Sequence, residues 1–123
     1  MFTITPDFMS ARGRGFQITF DNGVMVSVQW GCGNYCDNRR IEHTDENSNL
    51  VSHTAEFAAI DTRTGKFVIN EVIGCDNPYE WQEEVRGYLN ADEVLMLMNL
   101  TAKYVPMKRP KVWLKKRKWE DEW

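Results

Sequence analysis

The sequence predicts an α+β fold: an antiparallel sheet of two main hairpins, about 16–30 and 54–73, packed against a C-terminal helix at about 91–104, with a short helix at 78–86. Three observations carry this. Residues 16–30 alternate apolar and polar on both sides of Asp21-Asn22-Gly23. Residues 54–73 are rich in strand formers and are interrupted by a glycine-containing loop. Two asparagines, Asn77 and Asn90, each precede a glutamate by three positions, as a helix-opening capping box requires.

In the first hairpin the apolar set is Phe16, Ile18 and Phe20, then Val24, Val26, Val28 and Trp30. Period two means a strand with one buried face. A two-residue Asn-Gly loop would pair Phe20 with Met25 and put the valines on the face of Thr19 and Gln17. A three-residue loop pairs Phe20 with Val24, Ile18 with Val26 and Phe16 with Val28, so every apolar side chain shares a face. A one-residue slip would flip a whole strand, so the three-residue loop is expected, with Gly23 left-handed in a bulge.

The second hairpin turns through Thr62-Arg63-Thr64-Gly65. With Asp61 opposite Lys66, Ile60 opposes Phe67, Ala59 opposes Val68 and Ala58 opposes Ile69. Both faces are fairly apolar, which predicts central strands covered on both sides. The short helix at 78–86 follows from the Asn77 cap, Pro78 at the first helical position, Trp81 and Val85 on one face, and Gly87 as a stop. The second helix opens at Asn90 with Leu89 and Val94 placed as a hydrophobic staple, and Pro106 ends it near Tyr104. Val94, Leu95, Leu97, Met98, Leu100 and Ala102 make it apolar around most of its girth, which predicts a core helix lying across the sheet. Its methionines read as core packing.

The 123 residues suit one α+β domain over 1–105, with a basic, Trp-rich tail at 106–123. A chain this long buries enough surface for a core without staples. No apolar run approaches the roughly 20 residues of a membrane span. Residues 1–10 lack a basic region followed by an apolar stretch, so no secretory signal is expected, and three cysteines read as reduced thiols in a cytosol. The formal charge of −3 hides a partition. Residues 1–102 carry 7 basic and 15 acidic side chains, a net of −8, whereas 103–123 carry 8 and 3, a net of +5.

The open end of the first hairpin gathers the sharpest candidate site: Arg12 and Arg14 on one arm, and Asn34, Tyr35, Arg39 and Arg40 on the other. Gly13, Gly15, Gly31 and Gly33 allow close backbone approach, and their amides could form an anion nest. Arginine forks suit phosphates and carboxylates, and Tyr35 could stack on a base. The alternative is two loops whose arginines pair with Asp7, Asp37 and Glu42. No P-loop or Gly-x-Gly-x-x-Gly pattern is present. In the tail, Lys111, Trp113, Lys115, Lys116, Arg117, Lys118 and Trp119 interleave cations with aromatics, which suits a phosphate backbone and stacked bases. The competing reading folds the tail onto the acidic body or onto a protein partner.

Cys32 and Cys36 have the spacing of a zinc pair, with His43, His53 or Cys75 as further ligands, but the second pair has no recognised spacing. No metal or cofactor is therefore expected. A Cys–His nucleophile would need a group to orient His43, and none is apparent. No complete catalytic motif appears, and a non-enzymatic role is expected.

The run Gly15-Phe16 … Phe20-Asp21-Asn22-Gly23 … Ser27-Val28-Gln29-Trp30-Gly31 … Asn34-Tyr35-Cys36 resembles small accessory proteins of tailed bacteriophages. Ala55-Glu56-Phe57 and Gly87-Tyr88-Leu89 … Asp92-Glu93-Val94 also look similar, so the likeness covers about two-thirds of the chain and stops before the tail. That family has no assigned activity, so no catalytic residue carries over. The resemblance implies a phage origin and action in the bacterial cytoplasm. By analogy it implies binding and inhibition of a host protein or complex, such as a counter-defence (anti-CRISPR-like) inhibitor of a nucleic-acid-handling complex. The acidic body fits that expectation, because it could occupy a basic channel. The alternative expectation is a nucleic-acid or nucleotide-binding module using the Arg/Gly loops and the tail. The sequence does not fix the oligomeric state.

Overall fold

Period-two apolar patterning builds a six-stranded, wholly antiparallel sheet in the computed structural model, which describes residues 1–4, 14–41, 51–74 and 84–106. The elements run β1 (Phe2–Ile4), β2 (Gly15–Thr19), β3 (Val24–Gln29), β4 (Ala55–Asp61), β5 (Lys66–Phe67), α1 (Ile69–Ile73), β6 (Val85–Leu89) and α2 (Ala91–Lys103). The fold is α+β. Strands are ordered β1-β2-β3-β4-β5, and β6 also pairs with β4. Thus β5 takes the C-terminal end of β4 while β6 takes its N-terminal half.

The first hairpin has the expected register: Phe16 opposes Val28 and Ile18 opposes Val26. The Phe20 amide donates to the Val24 carbonyl at 2.9 Å, and Gly23 takes φ +83°. Val24, Val26 and Val28 then share a buried face with Phe57 and Ala59 of β4. Phe57, Val24 and Val26 are fully buried, each stabilising the fold by about 1.5–3 kcal/mol through area removed from water. β1, which no sequence signal marked, extends the sheet by pairing Phe2 with Ile18 and Ile4 with Phe16.

The second hairpin begins as predicted, with Asp61 opposite Lys66 and Ile60 opposite Phe67. The Val68 amide still donates to Ala59 at 2.8 Å. There the chain leaves the sheet, and residues 69–73 form α1 in place of the expected strand. Ile69 and Val72 are three apart and turn onto the core, and Gly74 ends the helix at φ +72°. The place opposite Ala58 that was expected for Ile69 is held by Val85 of β6. Val85 and Arg86 are therefore strand residues, which corrects the end of the predicted 78–86 helix; residues 78–83 lie outside the described residues. The short helix of the described fold is α1.

α2 opens as expected. The Glu93 amide donates to Asn90 Oδ1 at 2.9 Å, and the Asn90 amide donates to Glu93 Oε1 at 3.0 Å. Leu89 and Val94 both pack against the core. The helix does not bury its whole girth. Val94, Leu97 and Thr101 face the core, whereas Leu95, Met96 and Leu100 are exposed. The sheet covers one side only, and nothing among the described residues covers the other, so the expectation of a core helix holds for one face alone. No described helix is long and apolar enough to cross a membrane. The predicted tail falls almost wholly outside the described residues, which end at Pro106.

Candidate binding surface

Residues 31–41 leave the open end of the first hairpin as a chain of short turns, each closed by local hydrogen bonds. The Gly31 amide donates to Asn34 Oδ1 at 3.0 Å, and the Asn34 amide returns to the Gly31 carbonyl at 3.1 Å. Gly33, at φ +86°, donates its amide to the Arg39 carbonyl at 2.8 Å. Asn38 is 2% exposed, and its Nδ2 donates to the Trp30 carbonyl at 2.8 Å. Such Asx and glycine contacts are what Asn and Gly supply in turns.

The loop is then fastened to two strands. The Tyr35 amide donates to Glu56 Oε2 at 2.8 Å, and the Tyr35 carbonyl accepts from the Tyr88 amide of β6 at 2.8 Å. The Asp37 amide donates to Thr54 Oγ1 at 2.9 Å, while the Thr54 hydroxyl and His53 amide donate to the Asp37 carboxylate. Gly87 lets the loop approach: a Cβ there would stand 2.4 Å from Tyr35 Cβ. The next residue, Tyr88, has φ +55°, a left-handed conformation that costs a non-glycine residue about 1–2 kcal/mol.

Fastening the loop leaves aromatic and cationic groups outside. Tyr35 is 45% and Tyr88 54% exposed. The Arg39 guanidinium lies 4.2 Å from the centre of the Tyr35 ring, and its Nη1 donates to the Gly33 carbonyl at 3.3 Å. Arg40 is exposed beside it. Backbone contacts thus set the position of Tyr35 and Tyr88, and a cation–π contact orders Arg39.

The sequence-predicted site is only partly gathered here. Tyr35, Arg39 and Arg40 share the loop surface. Asn34 turns inward to hold Gly31. Arg14 is buried, and its carbonyl accepts from the Trp30 amide. The amides of Gly31 and Gly33 are engaged within the loop, so they do not form an outward anion nest. Arg12 and the tail candidates Lys111, Trp113, Lys115, Lys116, Arg117, Lys118 and Trp119 lie outside the described residues. Sequence reasoning missed Glu56, Thr54 and Tyr88. For Tyr88 the only signal was Gly87, which was assigned to a helix stop.

Cys36 is buried, with its Sγ 3.5 Å from the Gly31 carbonyl, and burial pushes its thiol pKa up. That direction opposes the thiolate a nucleophile or metal ligand needs. Among the described residues no group of three His, Cys, Asp or Glu side chains could hold a metal; His43 and Cys75 lie outside them. Beside the loop, Phe16, Val28, Trp30, His53, Leu89 and Val94 help to line an apolar cavity of about 290 Å³. Phe16 and Trp30 meet edge to face there, with ring centres 6.1 Å apart.

Of the 15 acidic side chains in residues 1–102, eight are among the described residues. The chain matches no protein-family model, no curated protein and no solved structure.

Proposed function

We propose that this chain is a non-enzymatic accessory protein of the phage type. In this reading it binds and inhibits a host protein or protein complex through the surface formed by Tyr35, Arg39 and Tyr88. The observation that carries the reading is the backbone anchoring of two half-exposed tyrosines. Their backbones are joined by a hydrogen bond, and one residue is held at a strained positive φ. Tyrosine and arginine dominate binding hot spots because they bring large contact area and hydrogen bonds at little cost in conformational entropy. Backbone strain retained on a surface residue is a mark of function. The family resemblance supplies the class of partner, a host component such as a defence complex. In this reading recognition runs through a Tyr/Arg surface. The nucleotide-binding alternative draws less support from the loop, because the Gly31 and Gly33 amides are occupied within it.

The test is an affinity pull-down from nuclease-treated host lysate with the tagged full chain, beside a Tyr35→Ala, Tyr88→Ala double variant of unchanged circular dichroism. The wild type is expected to retain one stoichiometric host protein, and the variant is expected to lose it. An empty wild-type lane, or equal retention by the variant, refutes the reading. Salt-dependent fluorescence anisotropy with DNA or RNA would favour the nucleic-acid alternative.

A further inference from the structure

The outer face of α2 carries a pattern that no described residue covers. At about 100° per residue, the core-facing side of the helix is centred on Val94, Leu97 and Thr101. Directly opposite runs a stripe of Asp92, Leu95, Met96, Asn99, Leu100 and Lys103, lining a shallow groove. Leu95 is 57%, Met96 56% and Leu100 40% exposed. Three neighbouring large apolar side chains on one surface helix mark an interaction site.

The stripe is complementary to itself. When a second copy is turned end for end about a two-fold axis passing between Leu97 and Met98, Asp92 meets Lys103 of the other copy. Leu95 shares a layer with Leu100, and Met96 shares one with Asn99. The relation is reciprocal, as an isologous interface requires. The asparagine falls next to the axis, where a polar residue fixes the register of paired helices. A parallel pairing would set Asp92 against Asp92 and Lys103 against Lys103, so charge selects the antiparallel one. Charge also argues against the chain's own tail as the occupant. The chain leaves the stripe at Lys103, and its next charged residues are Lys108, Arg109 and Lys111. We infer that the protein pairs with a second copy of itself through this stripe, as an antiparallel two-helix contact. The inference does not rest on the Tyr35 surface. One helix pair lies below the roughly 1,200 Å² of a standard interface, so the dimer is reversible, with a dissociation constant in about the micromolar range.

Sedimentation velocity of the full chain across a concentration series tests this. The wild type is expected to shift from monomer to dimer, and Leu95→Gln with Leu100→Gln is expected to stay monomeric at every concentration. Asp92→Lys alone and Lys103→Asp alone are each expected to weaken pairing about tenfold, and the double exchange to restore it to within about threefold. Circular dichroism of each variant shows whether α2 is retained. Where the double exchange weakens the helix, mixing the two single variants supplies the same readout, because both 92–103 contacts of the mixed dimer join opposite charges, whereas each homodimer of a single variant joins like charges at both ends. A wild type that is monomeric throughout, including one whose own tail covers the stripe, overturns the inference. A dimer that persists in the leucine variant also overturns it.

Discussion

The side chain of Asn22 closes the C-terminus of α2: its Nδ2 donates to the Thr101 carbonyl at 2.8 Å. The same amide nitrogen reaches the Tyr104 carbonyl at 2.8 Å, while its Oδ1 accepts from the Val24 amide at 3.0 Å. One residue therefore shapes the first hairpin turn and satisfies carbonyls that a helix end leaves without partners. It fixes the far end of the helix to the sheet, as the capping box at Asn90 fixes the start.

Asn22→Ala should cost about 1–2 kcal/mol in urea denaturation. Asn22→Asp should cost more. It removes both donors and sets a negative charge against the negative end of the helix dipole. Equal stability of the aspartate variant and wild type would show that the cap contributes nothing.

Asp61 predicts a pH dependence. The Arg63 guanidinium donates to its carboxylate through Nε at 3.2 Å and Nη2 at 3.1 Å, and the Arg63 amide donates at 2.9 Å. The side-chain hydrogen bond from Arg63 is the main cause that holds the Asp61 pKa below its ordinary value. A carboxyl depressed in the folded state adds stability above its unfolded pKa and loses it as pH falls through the folded value. Asp61→Asn should therefore destabilise by about 1 kcal/mol at pH 7, since Arg63 is half exposed to solvent. The gap should narrow in denaturation curves measured in acid, below the ordinary aspartate range.

Tyr88 separates binding from folding. At φ +55° a glycine carries no steric penalty. Tyr88→Gly should therefore stay within about 1 kcal/mol of wild-type stability, while β-branched Tyr88→Val should lose about 1–2 kcal/mol. Both variants should lose the host partner in the pull-down. A glycine variant that still captures the partner would remove Tyr88 from the surface.

Cys36 should be a slow thiol. In a Cys32→Ser, Cys75→Ser background, its reaction with an aromatic disulfide reagent should be at least about tenfold slower in the folded protein than in urea. Equal rates would contradict its burial.

Two of these positions show how far the sequence could be read. The pairing of Ile18 with Val26 followed from alternation and a glycine that tolerates positive φ, and both act over a few residues. Gly87 was legible as a special position and misread in kind. It admits the Tyr35 backbone, a neighbour 52 positions away in the chain, and local spacing carries no trace of that approach.

The sequence by itself determined the register of the first hairpin, the start of α2 and the reversal at Gly65, because each is decided by sterics and hydrogen bonds among near neighbours. The tertiary structure alone decided the rest. Residues 69–73 had an apolar pattern open to strand or helix, and β6 took the edge of β4 that a longer strand would have used. The same use of that edge brought the Tyr88 amide to the Tyr35 carbonyl. Among the described residues one side of α2 has no cover, because a single sheet face can cover only one side of a helix.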